Sequence, residues 1–228
     1  MNSGLLRITT TIAAVILLAV GTAGAGDWFG WSFGGGVKGS GDRITEERDI
    51  RDFTKIRTSG SMDVHVVVGD QPSLSITFDD NLIDLIETRV KGKTLRITCD
   101  ESYRARKSCL IEITVPKLTS VVSSGSGDML IENLNGDYFE YNVKGSGDLE
   151  IEGEVEEVEL GVAGSGDINA RQLIADHAEV VIRGSGDVDV YANESFSGSV
   201  YGSGDIDYYG KPDHVDKHVS GSGDITRR

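Results

Sequence analysis

The chain has 228 residues, 22 Lys and Arg against 37 Asp and Glu, and a formal net charge of −15. Such an acidic surface repels the nucleic-acid backbone and anionic membranes, which excludes nucleic-acid binding first and favours cationic partners or divalent cations. Glycine is abundant (30) and proline scarce (3), but regular apolar alternation separates the chain from disordered, charge-rich sequences, and the length suits one all-β domain.

Residues 1–25 read as an export signal. Arg7 supplies the positive start, Ile12 to Val20 an apolar core, and Ala23-Gly24-Ala25 a small-x-small cleavage site. The apolar run is too short for a comfortable transmembrane helix, and no Cys follows it for lipid attachment. Only Arg7 leaves with the signal, so the exported chain carries 21 cations against 37 anions, a net charge of −16. Its expected location is the periplasm, the cell surface or the medium.

Residues 26–38 form a glycine-rich leader with Trp28, Phe29, Trp31 and Phe33. These aromatics either fold back over the first coil or offer a contact site to a membrane surface or partner. A Gly-Ser-Gly-Asp tetrad at Gly39 to Asp42 follows, outside the regular spacing of the later copies. Over 39–116 the repeat is blurred. Gly60-Ser61-Met62-Asp63 is a degenerate copy, Val64, Val66 and Val68 alternate after it, and Leu74, Ile76 and Phe78 make another strand. Leu82, Ile83, Leu85 and Ile86 suggest one or two helical turns. Asp63 and Asp128 are 65 residues apart, about three periods, which suggests wider, irregular coils here.

Cys99 and Cys109 each end an apolar-alternating run and bracket a polar loop. In an oxidising compartment a disulfide clipping this loop is expected, contributing roughly 2–3 kcal/mol by the chain-entropy model.

Over 117–228 the repeat is clean. The tetrad stands at Gly125, Gly145, Gly164, Gly184, Gly202 and Gly221, and its aspartates are 20, 19, 20, 18 and 19 residues apart. A near-fixed period of this size means stacked coils. Two places before the first glycine stand Ser123, Val143, Val162, Ile182, Val200 and Val219; directly after the Asp stand Met129, Leu149, Ile168, Val188, Ile206 and Ile225. The apolar residues thus keep one parity through the motif, as strands do. Ser and Asp take the other parity and point outward. The two glycines read as facing a narrow interior at a bend, where a Cβ would not fit; the rival reading is that they supply positive φ in a turn. The expected fold is all-β, a single-domain parallel β-helix (β-solenoid) with coils of about 20 residues, the right-handed coil favoured over the left-handed.

Several stretches together resemble one family. Gly39 to Arg48 leads into Phe53-Thr54-Lys55-Ile56, followed by Asp79-Asp80-Asn81-Leu82-Ile83, Ile86-Glu87-Thr88 and the tetrad ladder. This pattern is similar to the bacterial auto-transporter adhesin family with the head GIN domain, DUF2807, across nearly all of Gly39 to Arg228. The resemblance implies a parallel β-helix with stacked motif residues and a link to adhesion, and it carries no catalytic residues across.

The candidate ligand or cation ladder is Asp128, Asp148, Asp167, Asp187, Asp205 and Asp224 with Ser126, Ser146, Ser165, Ser185, Ser203 and Ser222. Carboxylates one rung apart, about 4.8 Å, repel by roughly 1 kcal/mol per neighbour in water. Local amides, hydration, raised pKa values or bound cations must relieve this. Toxin-type glycine-aspartate rolls bind calcium with a period of about nine residues, and calcium takes about six or more oxygens, so only weak divalent cation binding is expected and no other cofactor. The serines lack the positioned base that a nucleophile needs. His65, His177, His214 and His218 are scattered, and His214 and His218 have metal-ligand spacing only on a helix. A non-enzymatic module binding an envelope component, glycan or surface protein is the leading expectation. Polysaccharide lyase or hydrolase activity on a β-helix, or a cation-binding envelope scaffold, is the alternative.

Overall fold

The structure, a computed structural model, describes residues 36–228. The expected signal segment and Trp28, Phe29, Trp31 and Phe33 lie outside the described residues. Strands dominate and stack as a β-solenoid. In chain order they are β1 (Val37–Lys38), β2 (Arg43–Glu47), β3 (Lys55–Gly60), β4 (Asp63–Val68), β5 (Ser73–Asp79), β6 (Glu87–Lys91), β7 (Thr94–Thr98), β8 (Tyr103–Arg104), β9 (Leu110–Val115), β10 (Ser120–Gly125), β11 (Met129–Gly145), β12 (Leu149–Gly164), β13 (Ile168–Ile182), β14 (Val188–Val200), β15 (Ile206–Gly210), β16 (His214–Val219) and β17 (Ile225–Arg227). The expected helical turn is a single 3-10 turn, Ile83–Leu85.

Each regular coil bends twice. One bend is the tetrad. The other lies in the middle of each long strand, where the register slips, for example between Ile131 and Leu134. Two faces result. The entry face holds the segments that run into a tetrad, in the order β6-β7-β3-β10 and then the second halves of β11 to β14. The exit face holds the segments that leave it: β2-β5-β9-β4, then the first halves of β11 to β14, then β15 and β17.

The apolar parity places Met129, Ile131, Phe139, Tyr141 and Val143 of one coil inside the tube, all buried. Each such side chain contributes about 1.5–3 kcal/mol on burial. Ser123 breaks that parity in composition and still points inward. It receives a hydrogen bond from Thr58 Oγ1 at 3.3 Å and pairs with the Tyr141 hydroxyl, so the buried polar groups satisfy one another.

The irregular half differs from expectation in its stacking order. The chain between Asp63 and Asp128 does not form coils between those two rungs. Gly60 is in register with Gly125, so β3 and β10 are neighbours. The intervening chain instead stacks beyond β3 and β4, with β7 on β3 and β9 on β4. Antiparallel β6 and β5 then close the two faces, and antiparallel β2 adds a further strand on β5.

At the other end, Phe196 and Tyr208 stack with centroids 4.4 Å apart. Lys217, at an inward position opposite Gly198, lies 4.5 Å from the Tyr208 centroid and donates to the Ile225 carbonyl at 3.0 Å. An inward-pointing charge of this kind blunts an open edge. Arg227 adds to it by donating to the Gly210 carbonyl at 3.1 Å.

Candidate functional site

The tetrad corner is built from backbone contact between coils. The Ser146 amide donates to the Gly125 carbonyl at 2.9 Å, and the Leu149 amide to the Asp167 carbonyl at 2.9 Å. This alternation repeats at the later coils. The second glycine of each tetrad is buried, as at Gly127, Gly147 and Gly166, with no room for a Cβ. A Cβ on Gly147 would stand 2.1 Å from the Gly127 carbonyl oxygen of the preceding coil. The first glycine is doubly constrained: Gly145 has φ 148, and its Cβ would stand 2.0 Å from the Gly125 carbonyl oxygen. The positive-φ expectation therefore holds for the first glycine and the narrow-interior expectation for the second, and close coil approach explains both.

Between those backbone bonds one amide in each coil would be left over, that of the aspartate. The carboxylate of the preceding coil takes it. The Asp148 amide donates to Asp128 Oδ1 at 3.1 Å, Asp167 to Asp148 at 2.8 Å, Asp187 to Asp167 at 2.8 Å, Asp205 to Asp187 at 2.8 Å and Asp224 to Asp205 at 2.7 Å. The degenerate copy joins the column, because Asp128 donates to Asp63 Oδ1 at 3.2 Å. Each carboxylate from Asp63 to Asp205 thus holds the next coil through Oδ1, and the aspartates from Asp128 onward are exposed. Each amide donor gives the carboxylate charge a favourable partner, which offsets part of the like-charge repulsion. Ser126, Ser146, Ser165, Ser185, Ser203 and Ser222 are exposed beside the aspartates.

A second outward column lies two residues after each aspartate: His65, Leu130, Glu150, Asn169, Asp189, Asp207 and Thr226, in register on the exit face. Counting parity past the tetrad would have found it. Between the two columns run depressions of about 590 and 500 Å³. They share Asp167 and Asn169, so they join as one trough along the stack. One end is more apolar, with Val64, Leu110 and Leu130; the other carries Asp187, Asp189, Asp205, Asp207 and Arg228. Burial, then the Asp207 charge, pushes the Asp189 carboxyl up, while Arg171, the Tyr209 hydroxyl and Arg228 oppose the shift. Arg228 Nε holds Asp207 Oδ2 at 2.7 Å.

Other candidates fall elsewhere. Gly39 to Asp42 is not a rung. It clamps the Asp79-Asp80-Asn81 turn: the Ser40 amide donates to Asn81 Oδ1 at 2.9 Å and the Gly41 amide to the buried Asp79 at 3.1 Å. The expected Cys99–Cys109 disulfide is not formed, and both are free thiols. Cys99 and Cys109 occupy the places next to Gly60 and Met62 in the neighbouring coil, and residues 100–108 replace a single serine there. The Cys99 thiol turns instead to the Glu101 carbonyl at 3.4 Å. Cys109 packs as an apolar core residue, its thiol pushed up to about 12 by burial. The histidines stay apart. His65 contacts Glu132, His177 contacts Ser195 at 2.8 Å, and His214 and His218 lie on strand β16. No cluster of metal-ligating side chains occurs among the described residues.

Comparison with known proteins matches this architecture. No curated protein matches the chain. Among solved structures, a protein of Bacteroides fragilis described as a putative adhesin is 30% identical with a TM-score of 0.70, covering 85% of this chain and 100% of its own. A protein of Parabacteroides distasonis described as a putative lipid binding protein is 27% identical with a TM-score of 0.58, covering 84% and 99%. A second protein of that species, at 21% identity and a TM-score of 0.54, shares the fold, covering 84% of this chain and 99% of its own. Residues 52–212, which contain the aspartate ladder from Asp63 to Asp205, match the family described as "Putative auto-transporter adhesin, head GIN domain", and the chain belongs to that family, DUF2807.

Proposed function

We propose that this chain is an exported, non-enzymatic binding module of the cell envelope or surface, and that the trough beside the aspartate ladder takes an extended, hydroxyl-rich glycan chain. The observation that carries this reading is the continuity of the trough, which passes every rung from Asp63 to Asp224. Its polar groups recur from coil to coil instead of converging on one point. That arrangement suits many weak, equivalent contacts, which together become useful. The ladder carboxylates and those of Glu150, Asp189 and Asp207 accept hydrogen bonds from hydroxyls and amino-sugar ammonium groups, and the Asn169 amide also donates to hydroxyls.

The test is binding of the exported chain to a glycan array and to whole cells. Neutralising the second column with Glu150→Gln and Asp189→Asn leaves the ladder intact, so the fold is retained while binding falls at least tenfold. Two results stand against the proposal: no retention by any glycan or cell surface, or retention that the neutralised trough leaves unchanged. Release of reducing ends from a bound polysaccharide would favour an enzyme instead.

A further inference from the structure

The entry face carries a charge pattern unrelated to the trough. Lys55 and Arg57 on β3, Arg96 on β7, and Arg89 and Lys91 on β6 all point outward and are exposed. Register sets Arg57, Arg96 and Arg89 side by side across three strands, with Lys55, Thr94 and Lys91 in the next row. None of the five cations forms an ion pair among the described residues. Like charges directly opposite one another destabilise a sheet, and these sit together in a chain with a net charge of −15.

Further along the same face the sign reverses. Glu140, Glu159 and Glu179 stand in register on β11, β12 and β13. Their side-chain partners are neutral: Ser120 and Asn142 for Glu140, Tyr138 for Glu159. Gly161 leaves a notch of about 160 Å³ walled by the three glutamates and Arg183. Between the two halves the outward positions of β10 are Ser120, covered by its neighbours, and the half-buried Val122 and Ser124.

We infer that this face is a two-fold interface between two copies of the chain, with the axis running along β10. Half a turn about that line lays one face on the other and reverses the strand order. β3 then meets β11 of the second copy, β7 meets β12, and β6 meets β13. Lys55 faces Glu140, Lys91 faces Glu179, and Arg96 faces the Gly161 notch with its three carboxylates. The one acid of the cationic half, Glu87, in register with Thr98, faces Arg183. Arg57 meets Asn142, Arg89 meets Val181 and Ser59 meets Lys144, so like charges meet nowhere in the pairing.

Seven strands at about 4.8 Å and five residues at about 3.3 Å give roughly 500 Å² per copy, or roughly 1,000 Å² in all, the lower edge of a specific interface. An anionic glycan or membrane would account for the cations alone. A second copy accounts for both halves and for the neutral strand between them.

The experiment is sedimentation velocity of the exported chain across a concentration series at low and high salt. A dimer that weakens with salt is expected. Lys55→Glu with Lys91→Glu places acids against acids, and Glu140→Lys with Glu179→Lys places cations against cations. Each variant alone raises the dissociation constant at least tenfold. An equimolar mixture of the two restores a dimer, because every reversed charge then meets its opposite, and this also shows that both variants fold. A monomeric wild-type chain at low salt, a dimer indifferent to either reversal, or a mixture that stays monomeric overturns the inference. A monomer that binds polygalacturonate through Arg57, Arg89 and Arg96 overturns it in favour of a polyanion.

Discussion

Three glycine-to-alanine substitutions separate what the tetrad requires. Gly136 has φ 144, and a Cβ there meets nothing within 4 Å. Alanine at this position bears the strain of the left-handed region, about 1–3 kcal/mol, partly offset by about 0.4–1 kcal/mol from the stiffer unfolded chain. Gly147 is the reverse case: it is not among the positive-φ residues, yet its Cβ would lie 2.1 Å from the Gly127 carbonyl oxygen. That oxygen belongs to the backbone of the packed neighbouring coil and cannot swing away. Forcing the coils apart costs about 1–3 kcal/mol as overpacking and weakens the flanking inter-coil hydrogen bonds, worth about 0.5–1.5 kcal/mol each. Gly145 combines both faults, with φ 148 and a 2.0 Å approach. The expected losses are therefore about 1 kcal/mol for Gly136→Ala, about 2–4 for Gly147→Ala and about 3–6 for Gly145→Ala. Urea unfolding followed by circular dichroism reads the order directly. In a stacked coil a local fault propagates to its neighbours, so hydrogen exchange at the Gly127 to Asp167 corners should rise as well. If Gly147→Ala proves no worse than Gly136→Ala, close coil approach is not what selects glycine.

Two further outcomes follow from the titrating groups. Asp189 is held above its ordinary value of 3.8, first by burial and then by the Asp207 charge. The fold therefore favours its protonated form, and its contribution is present below the ordinary carboxylate range and lost as pH rises through the raised value. The stability difference between wild type and Asp189→Asn should change in that direction across the window in urea titrations, and a difference flat with pH would refute it. Burial raises both thiols, Cys109 to about 12. Cys109 should react with a thiol reagent only on unfolding and Cys99 slowly in the native state. Denaturation without reductant should release two thiols, and none would mean a disulfide.

Much of the fold was legible because the repeat is local. The parity through Val143, Gly145, Gly147, Leu149 and Ile151 gives the inward face without any knowledge of neighbours, and the same count puts Ser146 and Asp148 outside. What stayed hidden depends on which coil lies against which. Asp63 and Asp128 are neighbours although they stand 65 positions apart in the chain, because β7 and β9 add outside β3 and β4. The role of Cys99 and Cys109 follows from that order and not from their spacing. Gly39 to Asp42 has the letters of a rung, but Asp79 and Asn81 capture its amides before any coil can. The charge pairing on the entry face is equally non-local, since Arg57, Arg89 and Arg96 meet only through strand order.

The aspartate column holds the coils together and borders the trough proposed to bind, and substitution at Asp167 tells the two roles apart. Its Oδ1 accepts the Asp187 amide at 2.8 Å, a bond to a charged group worth about 1.5–3 kcal/mol. Against it stands repulsion from Asp148 and Asp187, roughly 1 kcal/mol each in water at one-rung spacing and less in salt. Asn keeps the acceptor and removes the repulsion, so Asp167→Asn should be neutral or stabilising by up to about 1–2 kcal/mol at low salt. Ala removes the acceptor together with the repulsion, so Asp167→Ala should lose only about 0–1 kcal/mol at low salt and more in high salt, where less repulsion is relieved. Urea midpoints at two salt concentrations distinguish these outcomes. Equal losses from Asn and Ala would mean that the charge, not the acceptor, holds the coils together. If instead Asn preserves stability, a lost affinity in the same variant can be assigned to the trough, because the ladder beneath it is unchanged.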